Sequence, residues 1–215
     1  MNESSQYRIY VEDRDYQTYS FINAASLAEA DNPGIEPVQE KLFSGDVFTL
    51  NESNHVELLH STVHSVESMP GILVLEQNKT YGRFSGRNLY RCIPDDRRLP
   101  VFLVPYEIKK MGFKKRMLNK YITFKYDNWD SKHPLGKVMV NIGNVDQLDN
   151  FYEYQLYCKS LNASIQGFNR ATSNALKSKS HREFIDLIKE KYPNLEDRTS
   201  ENIFTIDGEG CEDYD

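Results

Sequence analysis

The stretch Tyr121-Ile122-Thr123-Phe124-Lys125-Tyr126 puts Ile122, Phe124 and Tyr126 on one side of an extended chain and Tyr121, Thr123 and Lys125 on the other. Side chains alternate across a strand, so this pattern reads as a half-buried β-strand. Working outward, residues 72–75, 99–105, 137–143 and 151–157 read as further strands. The second of these carries Pro100 and Pro105, which suits an edge. Towards the N-terminus, residues 7–11, 16–22, 47–50 and 56–63 also read as strands, parted by polar turns. Residues 24–39, with Asn32-Pro33-Gly34 and Pro37, read as a loop or marginal helix, and Met69-Pro70-Gly71 reads as a boundary between the two groups.

Short strands joined by polar turns fit a small barrel or sandwich. The count and spacing of the second group match an oligonucleotide-binding (OB) barrel. After Asn162 the apolar period changes. Ser180-His181-Arg182-Glu183 has the form of a capping box, and Phe184, Leu187, Ile188 and Tyr192 follow on one helical face until Pro193 stops the helix. The fold class is therefore mainly β, with two tandem barrels and a connecting helix. The expected organisation is a first domain over 1–66, a second over 70–160, a helical linker over 161–199, and a final strand with an acidic loop over 200–215.

Composition narrows the partners. The 215 residues carry a net charge of −6, with 39% hydrophobic and 12% aromatic residues, enough for real cores. The charge is segregated: from Lys79 to Lys125 thirteen Lys and Arg face three acids, a local balance of +10 against −16 elsewhere. Such asymmetry points to a face that meets a polyanion such as a nucleic acid, the competing reading being a solvated charged surface around a β-barrel. No apolar run is long enough for a membrane helix, and the polar start Met1-Asn2-Glu3-Ser4 lacks the features of a signal peptide. Cys92, Cys158 and Cys211 are odd in number and widely spaced, which predicts free thiols in a reducing, intracellular (cytoplasmic or nuclear) compartment.

Within the basic region, residues 81–91 read Tyr-Gly-Arg-Phe-Ser-Gly-Arg-Asn-Leu-Tyr-Arg. Aromatic rings stack on unpaired bases and arginines hold phosphates, so Tyr81, Arg83, Phe84, Arg87, Tyr90 and Arg91 are candidate RNA contacts. Lys114, Lys115 and Trp129 join them. The competing reading is a basic twisted hairpin whose aromatics pack inward. His60 and His64, four apart in a strand-like region without a carboxylate partner, read as core or surface histidines rather than metal ligands. At the other end of the chain, Asp207, Asp213 and Asp215 crowd a glycine-bearing loop after the apolar run Ile203-Phe204-Thr205-Ile206. Clustered carboxylates repel one another but suit a hard divalent cation such as magnesium.

These features lie in an order that resembles the ribonuclease II/R (RNB) family of 3′–5′ exoribonucleases, in its exosome-type branch. The resemblance runs from residue 70 to 215. It rests on Asp96-Arg97-Arg98-Leu99-Pro100, then Trp129 to Pro134-Leu135-Gly136, then Ile142-Gly143-Asn144-Val145, then the acidic segment Asp207 to Asp215. It implies two cold-shock (OB) domains, the first degraded, followed by the start of an RNB domain. It also implies magnesium-dependent hydrolysis of single-stranded RNA, with Asp207 and Asp215 as metal ligands and Asp213 and Asp215 as catalytic residues. The family carries two prolines after the first aspartate, where this chain has Gly208-Glu209, and a fourth aspartate would fall at residue 216. The chain alone is accordingly expected to be inactive as a nuclease. The alternative reading is a non-catalytic module that binds single-stranded RNA.

Overall fold

The computed structural model describes residues 5–108, 117–161, 165–196, 198 and 200–202, in two compact units, Met1–Ser164 and Ile165–Asp215. The first unit begins with β1 (Gln6–Val11), β2 (Tyr19–Asn23), β3 (Glu29–Ala30), β4 (Val47–Leu50) and β5 (Val56–His60). They form an antiparallel sheet in the order β3-β2-β1-β4-β5. Alternation directs Ile9, Val11, Phe21 and Phe48 inward, where they are buried. Side-chain carbonyls close the turns: Asn23 accepts from the amides of Ala25 and Ser26, and Asn51 from those of Ser53 and His55.

The expected strand over 16–22 starts late. The Asp13 carboxylate accepts from the amides of Asp15, Gln17 and Thr18 and curls the chain into a loop. Tyr16 takes φ +58° there, and its hydroxyl donates to the Leu42 carbonyl from a buried position. The expected strand over 56–63 is cut at His60, because Ser61 caps a single helical turn, α1 (Thr62–Ser65), by accepting from the His64 amide. His64 is thus helical rather than on a strand beside His60, and its ring stacks on Tyr126 at 4.2 Å.

The second group comprises β6 (Met69–Val74), β7 (Arg83–Phe84), β8 (Arg87–Pro94), β9 (Phe102–Tyr106), β10 (Lys120–Asn128) and β11 (Leu135–Asn144). The sheet runs β6-β10-β11-β9-β8, and β8 pairs back onto β6, so five strands close a barrel; β7 extends β8 as a hairpin. Only the β9–β11 pairing is parallel among the described pairs. This is the OB arrangement, mainly β as expected.

Two expectations are corrected here. Met69-Pro70-Gly71 begins β6, the first strand of the second sheet, so the two groups of strands part just before it. Gly71 permits a close approach inside the barrel, since a Cβ there would sit 2.8 Å from the Phe124 ring and 2.9 Å from Cys92 Sγ. β9 is not an edge: the Leu103 amide donates to the Pro134 carbonyl. Pro105, two residues on, turns its missing N–H to the same side, beyond the last β11 partner, so it costs no ladder bond. Residues 151–157 are not a strand but part of α2 (Leu148–Cys158). Its buried residues, Asn150, Glu153 and Tyr154, have helical spacing, and Tyr154 stacks on Tyr121 at 4.4 Å. Packing overrides the β-preference of the aromatics.

A single core runs through both sheets of this unit. Phe43, fully buried in the β3–β4 connection, lies parallel to Phe102 at 5.8 Å and 4.8 Å from Trp129. Arg14 adds a polar brace, donating to the Leu99 carbonyl at 2.8 Å and the Pro94 carbonyl at 2.9 Å. In the second unit, α3 (Ile165–Lys177), which the sequence reading did not assign, precedes α4 (His181–Lys191). The capping box of Ser180 and Glu183 is formed as expected, and no residue of α4 is buried. The expected strand over 203–206 and the acidic loop lie outside the described residues.

Candidate nucleic-acid interface

OB barrels hold oligonucleotides on their second and third strands and on the loops after the first and fourth. Here those are β8, β9, the connection from β6 to β8, and the connection from β10 to β11. Along β8 the inward side chains Tyr90 and Cys92 are buried, while Arg87 and Arg91 are exposed on the outer face. Ser85 and Gly86, at φ +48° and +78°, make the tight turn that folds β7 onto β8. The turn sets Arg83 opposite Asn88 and Phe84 opposite Arg87. The Arg83 Nε donates to Asn88 Oδ1 at 3.1 Å, and Phe84 is 39% exposed. Lys79 Nζ lies 5.5 Å from the half-buried Tyr81 ring at the root of this hairpin.

The β10–β11 connection brings further positive charge. His133 is held below the usual imidazole range by partial burial first, and then by Lys132 and Arg91. Arg91 pairs with Leu103, and Leu103 with Leu135, so the start of β11 and the Lys132-His133 loop before it lie across a single strand, β9, from Arg91. Lys41, from the β3–β4 connection, donates to the Ser131 carbonyl at 3.4 Å beside them.

Of the candidates read from sequence, Arg83, Phe84, Arg87 and Arg91 meet on β7 and β8, with Tyr81 at their base. Tyr90 and Trp129 do not belong to this face. Tyr90 is 2% exposed with its hydroxyl on Asn78 Oδ1, because alternation along β8 points it inward. Trp129 is 5% exposed and fills the junction against Phe43 and Tyr16. Lys114 and Lys115 lie outside the described residues, as do Asp207, Asp213 and Asp215. Lys132, His133 and Lys41 were missed. Their only sequence signal was the place of Lys132 and His133 between Trp129 and Pro134.

The residues that carried the resemblance build the barrel. Asp96 accepts from the Arg98 amide and guanidinium within its own turn. The Leu99 and Pro134 carbonyls accept from Arg14 and Leu103. A Cβ on Gly136 would sit 2.8 Å from the Phe124 ring, and one on Gly143 would run into the Asn150 side chain. Cys92 is fully buried, which pushes its thiol far up, and half-buried Cys158 is pushed up to about 11 by burial and by Asp95. Neither is a nucleophile at neutral pH. Among the described residues no group of three metal-ligating side chains occurs, and no helix is long and apolar enough to cross a membrane.

Residues 89–153, from β8 into α2, match the family described as Dis3-like cold-shock domain 2 (CSD2). The second barrel is thus similar over these residues to a Dis3-like cold-shock domain, and its strand order is that of an OB barrel. Among solved structures, the one titled "Structure of yeast Ssd1, a pseudonuclease" is similar, at 12% sequence identity and a TM-score of 0.47. The match covers 71% of this chain and 24% of that one, so the chain spans about a quarter of that protein's length. No curated protein matches the sequence.

Proposed function

We propose that the chain is a single-stranded RNA-binding module of the kind found ahead of the catalytic domain in RNB-type 3′–5′ exoribonucleases. The observation that carries this reading is the placement of Arg87 and Arg91 on the outer face of β8, with exposed Phe84 at its margin and the Lys132-His133 loop across β9 from Arg91. The arginines take phosphates, and the ring offers a base-stacking surface that is indifferent to sequence. The cold-shock match over the same barrel supports it. Hydrolysis enters this reading only through Asp207, Asp213 and Asp215. Their oxygen donors are of the kind magnesium takes, with Asp207 and Asp215 as ligands and Asp213 and Asp215 in the catalytic role.

The test is a fluorescence-anisotropy titration of labelled single-stranded RNA at several salt concentrations. Affinity is expected to fall steeply with salt. Arg87→Ala with Arg91→Ala is expected to weaken binding on unrelated sequences alike. It should also flatten the log–log salt slope by about 1.4, since each phosphate neutralised on a single strand accounts for roughly 0.7. Salt-independent binding, or an unaltered slope in the double variant, contradicts the placement of the site.

A further inference from the structure

The sheet β3-β2-β1-β4-β5 does not close among the described residues, and both of its edges are acidic. From Gln6 to His60 the sequence carries ten Asp and Glu against three Lys and Arg, a balance of −7. Two of those three cations are turned to the second barrel: Arg14 donates to the Leu99 and Pro94 carbonyls, and Lys41 to the Ser131 carbonyl. The edges keep their charge. Glu29 on β3, Asp31 just after it and Glu57 on β5 are exposed, and none has an ion-pair partner among the described residues.

We infer that this open side docks an extended segment of a partner protein in which apolar residues alternate with Lys or Arg, added as a further strand on β5. The backbone of β5, its core side and its solvent side each specify part of the occupant. An edge strand presents a row of unpaired N–H and C=O groups, and β5 has neither the lysine nor the proline that blunts such an edge. A strand added there gains affinity from main-chain hydrogen bonds and selectivity from its alternate side chains. On the core side, Ala30 and Val56 are half-buried at the two edges, and Leu58, opposite Phe48, is 40% exposed. Apolar side chains of the incoming strand complete that surface.

On the solvent side stands Glu57, opposite Thr49. Every second residue of the incoming strand emerges on that side, where a Lys or Arg makes a cross-strand pair of opposite charge. A polyanion is repelled from the same edge, so this surface is distinct from the arginine face of β8. A second copy of the chain brings the same negative charge to the edge and is the weaker occupant. Leu59 is the extra residue of a bulge against β4, which keeps the regular edge short and the complex reversible.

The test titrates the full chain into labelled, end-blocked peptides of about nine residues, a usual strand length. One alternates valine with lysine, one alternates valine with glutamate, and the third is the valine–lysine peptide with its central valines replaced by proline. The valine–lysine peptide is expected to bind roughly tenfold more tightly than the valine–glutamate peptide, the difference that a few exposed charge pairs supply when their sign is reversed. Its binding should slow hydrogen exchange at the amides of Val56–His60. The proline peptide keeps the charge but loses ladder donors, and should lose the affinity. Glu57→Lys should shrink the ratio of the first two affinities. Equal binding of those two peptides overturns the proposal, as do full binding by the proline peptide, protection that arises away from β5, or a ratio that Glu57→Lys leaves unchanged. Self-association through Val56–His60 that the valine–lysine peptide does not reduce makes a second copy the occupant and overturns it too. If Glu57→Lys fails to fold, the three peptides on the wild-type chain still decide.

Discussion

The two sheets of the first unit share a strand order and differ in whether they close. Read as a circle, an OB barrel runs first, second, third, fifth, fourth strand and back to the first. The second group completes it through the parallel contact of Leu103 with Leu135. The first group follows the same order, β3-β2-β1-β4-β5, and stops there, with no pairing between β3 and β5 among the described residues. The cause is local. β3 is two residues long, and the chain after β5 is diverted into α1 by the Ser61 cap. What the open sheet lacks in closure it takes from its neighbour, since Phe43 and Tyr16 bury themselves against Trp129 and Phe102 rather than inside a barrel of their own. The closed barrel carries the arginine face, and the open one braces it.

If that division is right, the largest effect should come at the seam. Phe43→Ala removes a ring that is fully buried and in contact with both groups. It is expected to cost about 3–5 kcal/mol. Because the core is continuous, a urea titration should show both sheets melting in one shifted transition. A second, lower transition confined to β1–β5 would break the comparison and make the first sheet independent.

The open sheet also holds a buried acid. Asp46 is fully buried, its Oδ2 accepts from the Phe43 amide at 2.8 Å, and burial pushes its carboxyl up to about 6. The folded state thus prefers the protonated form, so this group's stabilising contribution is complete below the unfolded value near 4 and is lost as pH rises through 6. Taken alone it is worth up to about 3 kcal/mol over that window. His64 works in the opposite sense: burial holds it below the usual imidazole range, so it loses stability on acidification. Melting wild type and Asp46→Asn side by side isolates the acid. The wild-type chain should gain on the variant as pH falls from 7 to 4, and parallel curves would mean that Asp46 is solvated.

The closed barrel should be sensitive to crowding instead. Gly136→Ala places a Cβ 2.8 Å from the Phe124 ring and 3.2 Å from the Lys125 carbonyl, a backbone atom that cannot turn aside. Overpacking of this kind costs about 1–3 kcal/mol. A chemical-denaturation midpoint equal to wild type would show that β10 and β11 can separate at that point.

How far the sequence announced this arrangement differs between the same two regions. In the closed barrel, β10 was legible because apolar Ile122 and Phe124 alternate with polar Thr123 and Lys125, but the burial of Thr123 on the opposite face was not. Residues 151–157 misled because rings suit strands and helices alike, and only the stacking of Tyr154 on Tyr121 decides for the helix. The outward arginines of β8 were legible from composition. The inward turn of Tyr90 follows from its parity with Cys92, whose complete burial only the fold reveals. Trp129 could not be placed from sequence at all, since its partner Phe43 is 86 residues away in a stretch that the sequence reading left unassigned. Nor was β3 legible: two residues, Glu29 and Ala30, carry no period.

The smallest effect on stability belongs to the open edge, and it sharpens the comparison most directly. β5 pairs only with β4 among the described strands, and Leu58 and Leu59 on it are 40% and 50% exposed. An exposed apolar edge strand is a template for another chain, whereas the closed barrel offers none. Leu59→Lys buries no charge and leaves the core packing intact, so the folding free energy should stay within about 0.5 kcal/mol of wild type. A lysine on an edge strand opposes pairing with a second chain. Light scattering as a function of protein concentration should therefore show less association for Leu59→Lys than for wild type. The matching change on the closed barrel, Val140→Lys at an exposed β11 position, should leave association unchanged. If both substitutions reduce scattering equally, association comes from general surface apolarity, and the missing β3–β5 pairing is not what distinguishes the two sheets.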